Sequence, residues 1–486
     1  MNYAESPWRA FELALVTIEL ESAFLVGAQD GDNLFDAVFV TDANGLPCIP
    51  GESLAGILRH ALAGAGDSKE DKRCQEVFGF QAADDGKASR VRISFAHAHG
   101  KDDRPVPFRG AKVVDDPVLA AMQAGVGRDH VRLGQHGAVD GRGKFDELLV
   151  PAGARFTFEI SLARDSGITL AELLAQLARP EVRIGGKTRR GLGSFRLVRA
   201  SGAAFDLTKK DDVRRLGRVN VAIDRAVGCS ELKELSLPKP AAAEGVRRGT
   251  LTLRPIGTWM VGGGIPVGAE GGEPARSGGK EGSDEKPWDR VPLRERRISW
   301  SGDKAGARGQ VSADEKSDFL LPASSVKGSL RHRTAFHSRR LSGTWLESQG
   351  SYDGSTADES LLFGEVRHGD TGKPGCVSLS DFYIAPSKVQ LTPLQHVSLD
   401  RFTQGPMDHL LYDELALGEV ELKLDIVITE KAGEDYSVAF KALQAAIDDL
   451  CQGRLSLGAG RGHGRFQGQV SWENNVGLVV KEAASC

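Results

Sequence analysis

The sequence predicts an α+β fold made of two tandem ferredoxin-like units, and two repeated motifs together with the element order carry that prediction. Ile49-Pro-Gly-Glu-Ser-Leu-Ala-Gly-Ile-Leu-Arg-His60 shares its frame with Leu321-Pro-Ala-Ser-Ser-Val-Lys-Gly-Ser-Leu-Arg-His332, and Pro50 and Pro322 stand 272 residues apart. Arg190-Gly-Leu-Gly-Ser-Phe195 matches Arg461-Gly-His-Gly-Arg-Phe466 at a separation of 271. Two motifs at one spacing imply a duplication. Each copy reads in the order β–α–β–β–α–β, which is that of a ferredoxin-like fold. The copies are assigned to residues 1–204 and 249–486, with a linker at 205–248.

Phe11 to Leu20 alternates as an opening strand. A turn-rich acidic loop follows, then the short apolar run Phe35-Asp-Ala-Val-Phe-Val40. Pro50 and Gly51 lead into a helix over 53–63, with Ser53 as its cap and Leu54, Ile57, Leu58 and Leu62 on the buried stripe. Val91 to His97 is a strand, and 100–150 reads as a charged, loop-like arm. A strand over 154–162, a helix over 170–177 and a strand–Gly-loop–strand unit over 182–198 complete the first copy. The second begins with a strand at Thr250 and carries a long insertion over about 262–318, read as partly mobile. The helix after Ser325, a strand at 376–380, an arm, a strand at 420–428, a helix at 438–450 and the Gly loop at 458–464 then follow in the same order.

At 486 residues the chain suits two domains. Its net charge of −4 excludes a globally basic nucleic-acid binder, so any such role rests on local patches. No apolar run approaches the length of a membrane span, and Met-Asn-Tyr-Ala-Glu-Ser at the start lacks the features of a secretion signal. The six cysteines (48, 74, 229, 376, 451 and 486) form no close pair, which fits a reducing cytoplasm.

The Gly-rich loops let backbone approach a phosphate closely. Neither has P-loop spacing, and both precede a strand rather than a helix. The first carries Lys187, Arg189 and Arg190 around Gly191 and Gly193; the second carries Gly460, Arg461, Gly462 and Gly464. Basic side chains there suit RNA phosphates. The helix after Ser325 bears Lys327, Arg331, His332, Arg333 and His337 without an acid, and Ser324, Ser325 and free N–H groups at its start suit an anion. His97 and His99 share a strand face, but no third zinc ligand accompanies them, so they read as surface histidines.

Taken together, the Pro-x-x-Ser-Φ-x-Gly-x-Leu-Arg helix start, the Phe78-Gly79 and Phe363-Gly364 pairs, the terminal Gly loops and the arm string Val397-Ser-Leu-Asp-Arg-Phe-Thr403 with Gly405 resemble the RAMP superfamily. The likeness is greatest to backbone subunits of type III CRISPR effector complexes. It spans the chain twice and is similar to the fused backbones of type III-D-like systems. In the first copy Val131-Arg-Leu-Gly-Gln-His136 replaces the arm string. The resemblance implies an RRM-like (modified RNA-recognition) fold that stacks into a filament-like complex with other type III subunits on a CRISPR guide RNA. The arms (about 100–150 and 386–415) would be thumbs that kink the duplex of guide and target RNA. Ser53, Arg59, Ser324, Ser325, Lys327, Arg331 and Arg401, with the Gly-loop residues, are the expected RNA contacts. In catalytic members a loop Asp before the Pro-x-x-Ser helix cuts target RNA with a divalent metal, Mg2+ or Mn2+. Asp36 holds that position in the first copy, with Asp30 and Asp32 nearby. Asp289 is the candidate in the second, with Asp303 and Asp318 as alternatives. A metal-independent endonuclease that processes precursor guide RNA through His60 or His332, and a non-catalytic scaffold, are the competing readings. No membrane role is expected.

Overall fold

The computed structural model describes residues 6–27, 35–64, 70–82, 85–133, 139–219, 221–241, 243–262, 288–313, 316–343, 356–365, 372–458, 464–473 and 477–478. In the first repeat, β1 (Ala10–Leu20) leads to α1 (Gly51–Ala63) and β2 (Val91–Ile93). An arm of two antiparallel strands, β3 (Val126–Leu133) and β4 (Val139–Leu149), precedes β5 (Arg155–Ala163), α2 (Leu170–Leu177) and β6 (Phe195–Asp206). The second repeat runs through β7 (Val246–Pro255), α3 (Ala323–Ser342), α4 (Ala357–Phe363) and β8 (Val377–Leu379). Its arm is β9 (Leu391–Leu399) and β10 (Pro406–Leu417), followed by β11 (Leu422–Thr429), α5 (Ser437–Cys451) and β12 (Phe466–Trp472). The sheets have the same antiparallel order, β6–β1–β5–β2 and β12–β7–β11–β8. That is the ferredoxin-like order, twice.

Period-two alternation explains why β1 lies at the centre of its sheet. Val16, Ile18 and Leu20 point into a core closed by Leu54 and Leu58 of α1 and Leu173, Leu174 and Leu177 of α2. Leu13 and Leu15 point the other way, against Phe205, Ile223, Ala226 and Leu232. The segment expected to be a linker therefore covers the far face of the first sheet, and its Lys233–Leu235 adds a strand to β6. α2 starts on a capping box, in which Thr169 accepts from the Glu172 N–H and the Glu172 carboxylate accepts from the Thr169 N–H.

Three expectations need correction. Pro50, not Ser53, stands at the N-cap of α1, and no side chain caps that end. Val182–Ile184 is no strand; Ile184 only donates its N–H to the Gly193 carbonyl. The first arm is a paired hairpin whose register runs from Val126↔Leu149 to Leu133↔Val139. Part of the second-repeat insertion is ordered too. Ile298–Trp300 and Gly309–Val311 pair as a tongue that lies on the first repeat. There the Ile298 N–H donates to the Ala152 carbonyl (2.9 Å) and Trp300 Nε1 donates to the Gly153 carbonyl (2.7 Å). Gly153 has φ +84°, and a Cβ on it would lie 1.7 Å from the Ile298 oxygen, so no other residue fits.

Several guanidinium groups join the repeats, and the one with most carboxylate partners in the seam is Arg128. Arg128 of β3 donates from Nε and Nη2 to both oxygens of Glu295 (2.6 and 2.9 Å) and from Nη1 to Asp381 Oδ2 (2.7 Å). Tyr383 donates to Glu295 Oε1 (2.7 Å). Asp381 Oδ1 accepts the Ala323 N–H at the start of α3 (2.8 Å). Arg183 adds donations to the Leu379 carbonyl (2.8 Å) and Ser380 Oγ (3.0 Å). Among the described residues no helix is long and apolar enough to cross a membrane, and Cys48, Cys74, Cys229, Cys376 and Cys451 are free thiols.

Arg128→Ala strands two buried carboxylates. We expect it to lower unfolding stability by about 3–5 kcal/mol in a urea titration, whereas Arg254→Ala, which breaks an exposed pair with Glu421, leaves the midpoint in place.

Candidate nucleic-acid interface

Asp36 sits in the loop after β1 and meets the base of the first arm. Its N–H donates to Asp146 Oδ1 (2.9 Å), and its Oδ2 accepts the Asp146 N–H (3.0 Å). The loop then pairs with the arm as a short parallel bridge, Ala37↔Glu147. The second repeat has the same construction. Asp289 Oδ2 accepts the Asp413 N–H (2.9 Å), and the next residue bridges in parallel, Arg290↔Glu414. Asp289 is therefore the structural counterpart of Asp36. The two alternatives serve elsewhere. Asp303, in the tongue, accepts from Arg196 (2.6 Å) and Arg155 (3.2 Å) of the first repeat, and Asp318 accepts from Arg297 (3.0 Å). Asp30 and Asp32 lie outside the described residues.

The first Gly loop lies against this arm base. Lys187 forms an ion pair with Glu147, and Lys187 Nζ and the Arg190 guanidinium stand 5.0 and 5.4 Å from the Phe145 ring centroid. Loop Asp, arm base and basic Gly loop thus converge in the first repeat. The glycines themselves answer to packing. A Cβ on Gly191 (φ +107°) would lie 2.5 Å from the Ala323 Cβ across the seam, and one on Gly193 would lie 1.9 Å from the Ile184 oxygen. Gly464 repeats the latter contact, 1.9 Å from the Leu457 oxygen. These positions therefore meet protein backbone or side chain, not an open cradle. Gly460, Arg461 and Gly462 lie outside the described residues.

The basic face of α3 is largely neutralised by its neighbours, contrary to its acid-free sequence. Arg331 pairs with Glu359, and Arg333 and His337 pair with Asp449 (2.5 and 2.8 Å). The Ala323 N–H at the helix start is held by Asp381, so the first donor expected for an anion is already occupied, with Ser324 and Ser325 half-buried beside it. Lys327 is buried in the seam, donating to the Arg189 and Val377 carbonyls (2.9 and 2.8 Å), and so does not face a ligand. Arg189 is exposed, while Arg59 donates to the Gly79 carbonyl (3.3 Å). Ser53 is half-buried on α1. His60 and His332 are exposed on α1 and α3. His99 is not a surface histidine: its Nδ1 meets Asp103 (2.9 Å), its Nε2 meets Thr157 (2.7 Å), and burial pushes its pKa down to about 4.

At the tip of the second arm, Asp400 Oδ1 accepts the N–H groups of Phe402 (3.0 Å) and Thr403 (2.7 Å) and the Thr403 hydroxyl (2.9 Å). That side-chain turn is the physical content of the Asp-Arg-Phe-Thr string. It leaves Arg401 exposed and Phe402 90% exposed. An exposed aromatic beside a cation suits stacking on bases.

Sequence reasoning passed over one set of residues. His130 and Glu147 face each other across the first arm base, and His396 and Glu414 do so in the second. The signal was present in Phe145-Asp-Glu-Leu148 and Tyr412-Asp-Glu-Leu415, and in His130-Val-Arg-Leu133 and His396-Val-Ser-Leu399.

A family model described as the RAMP superfamily matches residues 17–196 and 252–467. No curated protein matches the chain.

Gly191→Ala is expected to destabilise the RNA-free protein by about 1–3 kcal/mol through overpacking at the seam, whereas Gly56→Ala, with open space around its Cβ, raises stability by up to about 1 kcal/mol; thermal melts of both test the packing role. Burial lowers the Lys327 pKa to about 7 from 10.5. Across that window the unfolded chain binds more protons than the folded one, so stability rises with pH. Chemical denaturation at pH 7 and pH 10 should show this rise in wild type and a smaller one in Lys327→Met.

Proposed function

Because the chain belongs to the RAMP superfamily, with both repeats matched, we propose that it is a fused two-repeat backbone subunit of a type III CRISPR ribonucleoprotein. It holds a guide RNA and cuts the paired target RNA once at each repeat. The recurrence of one construction carries this reading: Asp36 on Asp146 and Asp289 on Asp413, each at the base of a projecting arm. Duplication alone preserves sheets and cores, but the second loop is far longer than the first and still returns its Asp to the same backbone N–H. The exposed Arg401 and Phe402 at the arm tip support contact with a nucleic-acid duplex.

A divalent ion at such a centre needs one or two carboxylates, with water and phosphate oxygens completing its shell. Asp36 with Asp146, and Asp289 with Asp413, offer adjoining carboxylates. Among the described residues no group of three or more His, Cys, Asp or Glu side chains gathers into a cage. The donors fit an ion whose shell the RNA completes. When bound, it would neutralise charge at the scissile phosphate.

The scaffold reading draws on one observation. Asp36 and Asp146 each accept the other's backbone N–H, which is also what a purely structural clamp of loop to arm would do.

The full chain assembled with guide RNA and partner subunits, given a labelled complementary target and Mg2+, tests the choice. Asp36→Ala and Asp289→Ala should each slow cleavage at one position by about a hundredfold or more, EDTA should stop both, and guide binding should persist. Unchanged cleavage in both variants would make the aspartates structural. Cutting of precursor guide without metal would favour a processing enzyme.

A further inference from the structure

One residue along the arm from the partner of each loop aspartate, a second constellation begins. In the first repeat the His130 ring stacks on Phe145 (centroids 4.9 Å apart, planes at 16°), and its Nε2 lies 3.7 Å from Glu147 Oε2. Glu147 is fully buried, and neither of those two atoms has a hydrogen-bond partner among the described residues. In the second repeat His396 stacks on Tyr412 (4.9 Å, 21°), with Nε2 3.8 Å from the buried Glu414 Oε2.

Each carboxylate also meets a cation, and the two cations come from different places in the sequence. In the first repeat it is Lys187 of the Gly loop. In the second it is Arg290, the residue after Asp289, 3.9 Å from Glu414. Each stands 5.0 Å from the centroid of its aromatic ring. A cation supplied by two routes to one position indicates a demand of the site itself. A buried carboxylate must be paired, and Lys187 already pairs Glu147. The imidazole is therefore not needed for neutralisation. At 3.7 and 3.8 Å neither imidazole is hydrogen-bonded to its carboxylate in the RNA-free protein; drawn within reach, the carboxylate would fix the tautomer, stabilise the cation the ring becomes and leave the far ring nitrogen to take a proton. Burial lowers the His130 pKa; Glu147 opposes this, while Arg128, Arg190 and Lys187 reinforce it, which favours the proton-accepting form at neutral pH.

We propose that His130–Glu147 and His396–Glu414 are the proton-accepting dyads of the two cleavage centres. The proposal rests on the nuclease reading above and adds the base to it. As O2′ of the target ribose bonds to the adjacent phosphorus, Nδ1, the ring nitrogen remote from the carboxylate, takes the 2′-hydroxyl proton. The P–O5′ bond breaks, and the leaving 5′-oxygen takes a proton from water. The resulting hydroxide recovers the proton from the imidazolium. The products are a 2′,3′-cyclic phosphate and a 5′-hydroxyl, with nothing oxidised or reduced. Glu147 and Glu414 are positioning residues.

The test uses the full chain in its guide-loaded complex, with end-labelled target and added imidazoles of graded basicity. His130→Ala and His396→Ala should each slow cleavage at one position by about 10²–10⁴-fold while guide binding stays intact. Imidazole should restore the lost rate, and the restored rate should rise with the basicity of the imidazole added. Undiminished cleavage, a loss that no imidazole restores, or a rescue indifferent to basicity would each overturn the dyad while leaving the nuclease reading standing. A wild-type complex that cuts no target would overturn both.

Discussion

The arrangement of the two repeats depends on a desolvated guanidinium held between two carboxylates. Arg128 belongs to the arm of the first repeat, while Glu295 and Asp381 belong to the second. Burying such a group without partners would cost several kcal/mol, so the geometry around it is tightly constrained. Asp381 is the pivot. One of its oxygens pairs with Arg128 and the other caps α3, so the arm base of one repeat and the helix start of the next are tied through a single side chain. The same closeness leaves no room for a Cβ at Gly191.

The two arm bases are related without being copies. The first draws its cation from the Gly loop and the second from the loop Asp's own neighbour. An exposed aromatic marks the second arm at Phe402. Among the described residues the tongue is a feature of the second repeat, yet its contacts lie on the first. Asp303 there joins Glu19 of β1 in pairing with Arg155 and Arg196, which stand on the strands either side of β1. Divergence has thus been spent on the seam and on the means of supplying charge, while sheet order and the Asp-to-arm contact persist.

Much of this was legible in the sequence because a duplicated domain repeats its punctuation. Pro50 and Pro322, and the paired Gly loops, located both helices and both closing strands, and the α2 boundaries were read without error. The arms were not legible. Val126-Gly-Arg-Asp-His-Val-Arg-Leu133 faces solvent along much of its length, so no apolar alternation marks it as a strand. Partners distant in the chain were invisible as well. α3 contains no acid, but Glu359 and Asp449 reach it from α4 and α5. His130 and Glu147 meet only because the hairpin folds back. Asp289 could not be separated from Asp303 and Asp318 by spacing, since the insertion erased the register. Hydrogen bonding to Asp413 distinguishes it.

The tongue bears on the order of events during synthesis. Arg128 precedes Glu295 by 167 residues, and at ribosomal rates that interval lasts on the order of ten seconds to half a minute. Throughout it, the nascent first repeat presents Arg128 and the bare backbone of Gly153 to the cell without the residues that will cover them. The emerging half-molecule carries an unpaired guanidinium and an open backbone edge with a built-in expiry, closed when its own younger half arrives.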